Sequence, residues 1–248
     1  HPKLIVVDID GFINDEDTEK LEANLRKWID NMPWSRNKIE TIRTCVPAEL
    51  QSSFYFNIAK YHDNWYQIDS WLPVQRRLRA MDKTGYSLSK GVETVCKSLP
   101  ADFTPDVRPL TLSDANAQYL RDFCAQAQSI GTDVLFLRTP HRTQTTDPNV
   151  FNDVAAVVGE YGYELLDLHD AFDTIGLDRC ADFIDSDHLN TIGMEKFTVW
   201  FGRYLTGRYD LTGTHSEAVT AEWERCADFT TQTLPLSKKL AAENTNQN

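Results

Sequence analysis

The 248-residue chain is short of basic charge, has no paired-cysteine motif and contains no long apolar run. Lys and Arg number 25 against 37 Asp and Glu, a formal net charge of −12. Affinity for a phosphate backbone rests on Lys and Arg, so nucleic acid is set aside as a partner. The five cysteines, Cys45, Cys96, Cys124, Cys180 and Cys226, are odd in number and widely spaced, with no C-x-x-C. That spacing argues against a zinc site or a redox pair. They read as isolated, mostly buried thiols, although an exported chain would have room for one or two disulfides. No stretch of about 18 apolar residues exists to span a bilayer, and no signal peptide is visible. Internal repeats, low-complexity tracts and strong linkers are absent too, so one domain is expected over 1–235, with a polar, frayed tail over 236–248. The chain opens on His1-Pro2 and enters a strand almost at once. This reads as a processed product whose leader or anchor lies upstream.

Hydrophobic residues make up 41% of the chain, enough for a sizeable core. Residues 3–9 (KLIVVDI) form a short β-branched run that reads as a buried strand, broken by Asp10-Gly11. Acidic residues at 15–19 precede a helix with Leu21, Leu25, Trp28 and Ile29 on its apolar face. Residues 33–100 lack alternation with strands and read as a helical insertion or cap, including a helix through Phe54–Trp71. The α/β rhythm then returns. A helix carrying Leu120, Phe123, Cys124 and Ala127 ends at Gly131, followed by a strand at 133–138 (DVLFLR). A second helix carries Val150, Val154, Val157, Val158 and Tyr161, with Gly162 as a C′ residue before a strand at 164–168. A last helix presents Phe197, Trp200, Phe201, Tyr204 and Leu205. Strands alternating with helices imply a parallel sheet covered on both faces.

The segment 185–193 (DSDHLNTIG) carries the strongest chemical signal. A nucleophilic serine needs a base to take its proton, and the base needs an acid to hold its tautomer and stabilise the imidazolium. An Asp three residues before a His, on a loop after the last strand, can turn its carboxylate to the ring while the other nitrogen faces the cleft. Sites of open α/β sheets gather at that edge. Asp185 and His188 are therefore candidate acid and base, and Asn190 and Gly193 fit a tight turn into the last helix. The plain alternative is a polar capping loop with an exposed histidine.

The block D-x-x-H-x-N-x-x-G, followed by a Lys-Phe-Thr amphipathic helix, resembles the last conserved block of SGNH (GDSL-like) hydrolases. The stretches 25–42 (LRKWIDNMPWSRNKIETI), 54–68 (FYFNIAKYHDNWYQI), 134–142 (VLFLRTPHR) and 182–205 (DFIDSDHLNTIGMEKFTVWFGRYL) resemble a bacterial branch of that superfamily. The resemblance covers roughly residues 3 to 207. It implies a flavodoxin-like three-layer α/β/α fold with a parallel sheet. It also implies an esterase or O-acyltransferase acting on an acylated carbohydrate or cell-surface polymer, with no metal or organic cofactor. It further implies an extracytoplasmic, membrane-associated location, with a membrane-bound O-acyltransferase as partner. In its terms Asp185 is the triad acid and His188 the base. The chain departs from the pattern at the nucleophile, for no Gly-Asp-Ser or Gly-Ser-Ser turn is present, and Ser87, Ser89 and Ser216 stand in the wrong context. Either the serine lies upstream of His1 or the chain is a non-catalytic binding or partner module. Gly11-Phe12-Ile13-Asn14 follows a strand where an oxyanion block belongs, one residue out of register, and makes Asn14 a candidate oxyanion donor.

A rival reading starts from Asp8-Ile9-Asp10-Gly11, which resembles the first motif of haloacid-dehalogenase phosphatases. There the first Asp is a nucleophile, the second an acid/base, and Mg²⁺ neutralises the phosphate. Phe12 stands where Thr is expected; Thr139, Asp185 and Asp187 would have to supply the remaining parts. The plain alternative is a strand ending in a solvated turn. Lys60–Trp65 sets aromatics beside His62 and Asp63, either as lining for a sugar or acyl pocket or as the polar edge of an amphipathic helix. Arg138 and His141 end a strand at the site edge, as anion binders or surface hydrogen-bonders, and His169 and Asp170 follow the third strand in the same way.

Overall fold

The computed structural model describes residues 2–13, 18–56, 95 and 97–245. The chain divides into two compact units, His1–Asn14 with Leu88–Asn248, and Asp15–Ser87. The first unit begins with β1 (Leu4–Asp8) and a single helical turn, α1 (Asp10–Ile13). The second unit carries α2 (Thr18–Ile29), α3 (Arg36–Cys45) and α4 (Gln51–Tyr55). The first unit then resumes with β2 (Val107–Arg108), α5 (Asp114–Ile130), β3 (Asp133–Arg138), β4 (Gln144–Thr145) and α6 (Val150–Gly159). It ends with β5 (Glu164–Asp167), α7 (Phe172–Ile175), α8 (Thr191–Arg208) and α9 (Glu217–Thr245). Among the described residues no helix is long and apolar enough to cross a membrane.

The main sheet has three parallel strands in the order β1-β3-β5. The strand expected at 133–138 is β3, and five of its six residues are buried because it lies between the other two. Alternation along β3 divides the core. Val134 and Phe136 pack with Leu120, Cys124 and Ala127 of α5 and Val154, Val157 and Val158 of α6. Leu137 faces the other way, toward Phe172, Ile175, Phe183 and the α8 aromatics Phe197, Trp200 and Phe201. Helices thus cover both faces, as expected for parallel strands whose every residue needs an apolar partner. Phe136 is fully buried, and its truncation to Ala would cost about 3–5 kcal/mol. Gly131 closes α5 at φ 68°, a left-handed position that glycine adopts without steric cost.

Register decides what meets at the carboxyl edge. Asp8 lies opposite Leu137, and Arg138 opposite Asp167. The residues that follow each strand, 9–10, 139–141 and 168–169, therefore emerge side by side. A short parallel ribbon, unforeseen in the sequence, pairs β2 with β4 through Val107↔Gln144 and Arg108↔Thr145.

In the second unit Ile29, Ile42, Val46 and Phe54 form a small core. Ser35 caps α3 by accepting from the Lys38 N–H at 3.2 Å. Arg26 lies 4.1 Å above the Phe54 ring and donates to Glu22 and Ser53. Trp28, expected on the apolar face of α2, is instead 79% exposed. Its neighbour Ile29 takes the buried position, one residue or 100° further round the helix. Most of the stretch read as an insertion, including the greater part of the helix expected over Phe54–Trp71, lies outside the described residues. At the other terminus α9 runs on through the segment expected to fray, as far as Thr245. The four described cysteines are free thiols, with Cys124 and Cys226 buried, Cys180 half-buried and Cys45 exposed.

Candidate functional site

Asp185 and His188 meet as their spacing implies. Both carboxylate oxygens of Asp185 lie 3.0 Å from His188 Nδ1. The same carboxylate accepts from the backbone N–H groups of Asp187 and His188, each at 2.8 Å. Burial works against its ionised form. The N–H of Asp187 and the ring and N–H of His188 outweigh burial and hold the carboxyl below its ordinary value. A charged acid thus fixes one face of an imidazole that is 70% exposed on the other.

The loop alternates in what its residues do. Asp185 and His188 turn outward, while Ser186, 2% exposed, and Asp187 turn in and anchor it. The Ser186 carbonyl accepts from the N–H groups of Arg142 and Thr143, at 2.6 and 3.1 Å, and its hydroxyl accepts from the Asp106 N–H at 3.0 Å. Asp187 accepts from the Thr143 hydroxyl through one oxygen and from Arg108 Nη2, at 2.7 Å, through the other. The β2–β4 ribbon is therefore the seat of the loop. Nothing in the sequence marks Arg108 or Thr143 for this role.

Asn190 ties the loop to α8. Its side-chain oxygen caps the helix by accepting from the N–H groups of Ile192 and Gly193, both at 3.0 Å. Its amide donates to the carbonyls of Lys97 and Ala181 at 3.0 and 2.6 Å. Gly193 is required for space, since a Cβ there would collide with the Asp182 backbone carbonyl.

A second polar group gathers where β1, β3 and β5 end. Asp8 Oδ1 accepts from the Asp10 N–H at 2.9 Å. Burial, followed by the charges of Asp8 and Asp187, raises the Asp10 carboxyl from 3.8 to about 6, against the pull of Arg138 and Arg108. Arg138, read as an anion binder or a surface hydrogen-bonder at the strand's end, is 6% exposed, because β3 is the middle strand. Its guanidinium lies 3.4 Å from the Phe151 ring centroid and donates to Asp167 at 3.1 Å. His141 is 4% exposed and leans on His169, with ring centroids 4.6 Å apart. Burial, aided by His169 and Arg138, lowers the His141 imidazole to about 4, and burial lowers His169 as well. Among the described residues neither nitrogen of His141 has a hydrogen-bond partner, nor does His169 Nδ1 or Arg138 Nε.

Asn14 and His62 lie outside the described residues, as do Ser87, Ser89 and the rest of Lys60–Trp65. Ser216 stands before α9, where its hydroxyl faces the Val219 N–H at 3.4 Å. Of the residues the phosphatase reading names, Asp8 and Asp10 stand together at the end of β1, and the charge of Asp187 reaches Asp10. Among the described residues no three His, Cys, Asp or Glu side chains come together as metal ligands. Asp187, one of its presumed carboxylates, is committed to Arg108 and Thr143. No family model, curated protein or solved structure matches the chain.

Proposed function

We propose that the chain carries the acid and base of a serine-type ester hydrolase or O-acyltransferase of the SGNH kind. One observation carries this reading: the Asp185 carboxylate embraces His188 Nδ1 while the ring stays open to solvent on its other side. Three parallel strands in sequential order, with helices on both faces, support placing the loop in a flavodoxin-like sheet. The nucleophile is a serine supplied from outside these 248 residues. Ser186, the serine nearest the pair in sequence, is buried and held by Asp106.

In this reading His188 Nε2 takes the serine proton as the hydroxyl attacks an acyl carbonyl. The imidazolium that forms is stabilised by Asp185, and its proton then passes to the departing alcohol. Water as the second acceptor makes the protein an esterase, and a sugar hydroxyl makes it an acyltransferase. The acylated substrate is a carbohydrate or cell-surface polymer, the location extracytoplasmic, and the partner a membrane-bound O-acyltransferase. These follow from the sequence resemblance.

The test is fluorophosphonate labelling and aryl-ester turnover of the natural full-length protein. His188→Ala is expected to abolish labelling and cut turnover about 10⁴-fold or more. Unchanged labelling and turnover in that variant would overturn the assignment. A natural protein that takes no label at all would point to a non-catalytic module.

A further inference from the structure

The 185–188 turn carries two carboxylates, and the inner one has no part in the acyl-transfer reading. The Asp187 side chain accepts from the Thr143 hydroxyl through one oxygen and from Arg108 Nη2, at 2.7 Å, through the other. Its backbone N–H donates to Asp185 Oδ1 at 2.8 Å. One residue thus joins the β2–β4 ribbon to the acid. We propose that Arg108 and Thr143 are positioning residues for the Asp185–His188 pair and act on it through Asp187. Their effect on catalysis rests on the acyl-transfer reading, whereas their grip on the turn does not.

The grip runs through the peptide between Ser186 and Asp187. A trans peptide is planar, with its carbonyl and its N–H pointing to opposite sides. The Ser186 carbonyl faces the ribbon, where the N–H groups of Arg142 and Thr143 hold it at 2.6 and 3.1 Å. The N–H of the same peptide must then face away from the ribbon, and there it meets Asp185. These backbone bonds hold one edge of the plane. The Asp187 carboxylate, held at each oxygen by a different segment, fixes the Cα at the other edge. Arg108 is steadied in turn by Asp106, 3.2 Å from Nη2, and by the pairing of β2 with β4.

The direction of that N–H bears on the charge of the acid. Burial disfavours the ionised Asp185, and the Asp187 N–H stands first among the contacts that outweigh it, ahead of the ring and N–H of His188. A hydrogen bond to the charged form favours ionisation, so loosening the peptide should make Asp185 harder to ionise. Charge alone predicts otherwise. Thr143→Val alters no charge, and Asp187→Ala removes an anion whose field disfavours a second ionised carboxylate two residues away. The two substitutions therefore separate positioning from electrostatics by the sign of their effect.

Carboxyl ¹³C titration of Asp185 and imidazole ¹⁵N resonances of His188, recorded on the natural full-length protein, test the proposal alongside kcat and KM for an aryl ester. Thr143→Val and Asp187→Ala are each expected to raise the Asp185 titration midpoint and to move the His188 ring resonances. In both variants kcat should fall about tenfold or more with KM within about twofold, because a misaligned acid and base slow the chemistry and leave binding alone. Thr143→Ser, which keeps the hydroxyl, should restore the native midpoint and bring kcat to within about threefold of the native protein. If Thr143→Val does not fold, Asp187→Ala at its half-buried position carries the same test. The proposal is overturned if Thr143→Val leaves the Asp185 midpoint and the His188 ring unchanged, or if Asp187→Ala lowers that midpoint. It is equally overturned if Thr143→Ser does no better than Thr143→Val. A natural protein with no ester turnover would refute the acyl-transfer reading, and the titrations would still decide the positioning.

Discussion

Asp10→Asn measures the electrostatic cost of crowding carboxylates where β1 ends. The Asp10 carboxyl rises from 3.8 to about 6, chiefly through burial and then through the charges of Asp8 and Asp187. The folded chain therefore binds this proton more tightly than the unfolded chain. The resulting stabilisation is complete below 3.8 and is lost as pH rises through 6, so that at neutral pH an ionised Asp10 opposes folding. At 1.36 kcal/mol per tenfold the full span is about 3 kcal/mol, and solvent screening of a half-buried group leaves about 1–2 kcal/mol. Asparagine keeps the shape and removes the charge. The variant is expected to be more stable by about 1–2 kcal/mol at pH 7.5, which raises the melting temperature by about 2–8 °C for a chain of this size. At pH 4.5, where the folded carboxyl is already protonated, the gain should shrink to about a third. Urea denaturation followed by circular dichroism at the two pH values checks both statements. An Asn variant no more stable than the native protein at pH 7.5, or with the same gain at both values, would refute the reasoning.

Asn190→Ala removes the cap of α8 and leaves the carbonyls of Lys97 and Ala181 without their donor. A loss of about 2–4 kcal/mol is expected in the same denaturation assay. His141→Leu acts on the acid side. The imidazole is held at about 4, so its neutral form supports the fold above 6.5 and that support is lost as pH falls through 4. The variant should flatten the acid limb by about 2–3 kcal/mol between those values. Gly193→Ala drives a methyl group into the Asp182 carbonyl and should lower the urea midpoint by the equivalent of about 1–3 kcal/mol.

The regular part of the fold is legible because its signals are local. DVLFLR reads as a buried strand from six consecutive residues, and Gly131 stops a helix by its own conformational freedom. The Asp185–His188 contact is legible for the same reason, since only two residues separate the partners and one turn suffices to join them. What the sequence hides is register. Whether Arg138 binds an anion or makes surface hydrogen bonds stays open until β3 is known to be the central strand, and only then does its burial over Phe151 follow. His141 and His169 stand 28 positions apart and meet only because β3 and β5 are neighbours. The β2–β4 ribbon is shorter still, with two residues per strand and no periodicity to detect. Trp28 fails for a different reason, since one residue's rotation on an amphipathic helix separates the buried face from the exposed one.

The ribbon has a further consequence for how the protein opens. Residues 106–108, 142–146 and 186–187 come from three separate loops, yet each borrows its backbone or side-chain partners from the other two. None can leave the native state alone, so they open and close as one cooperative unit. A change at Asp106 or Thr143 is therefore felt at His188 without touching it.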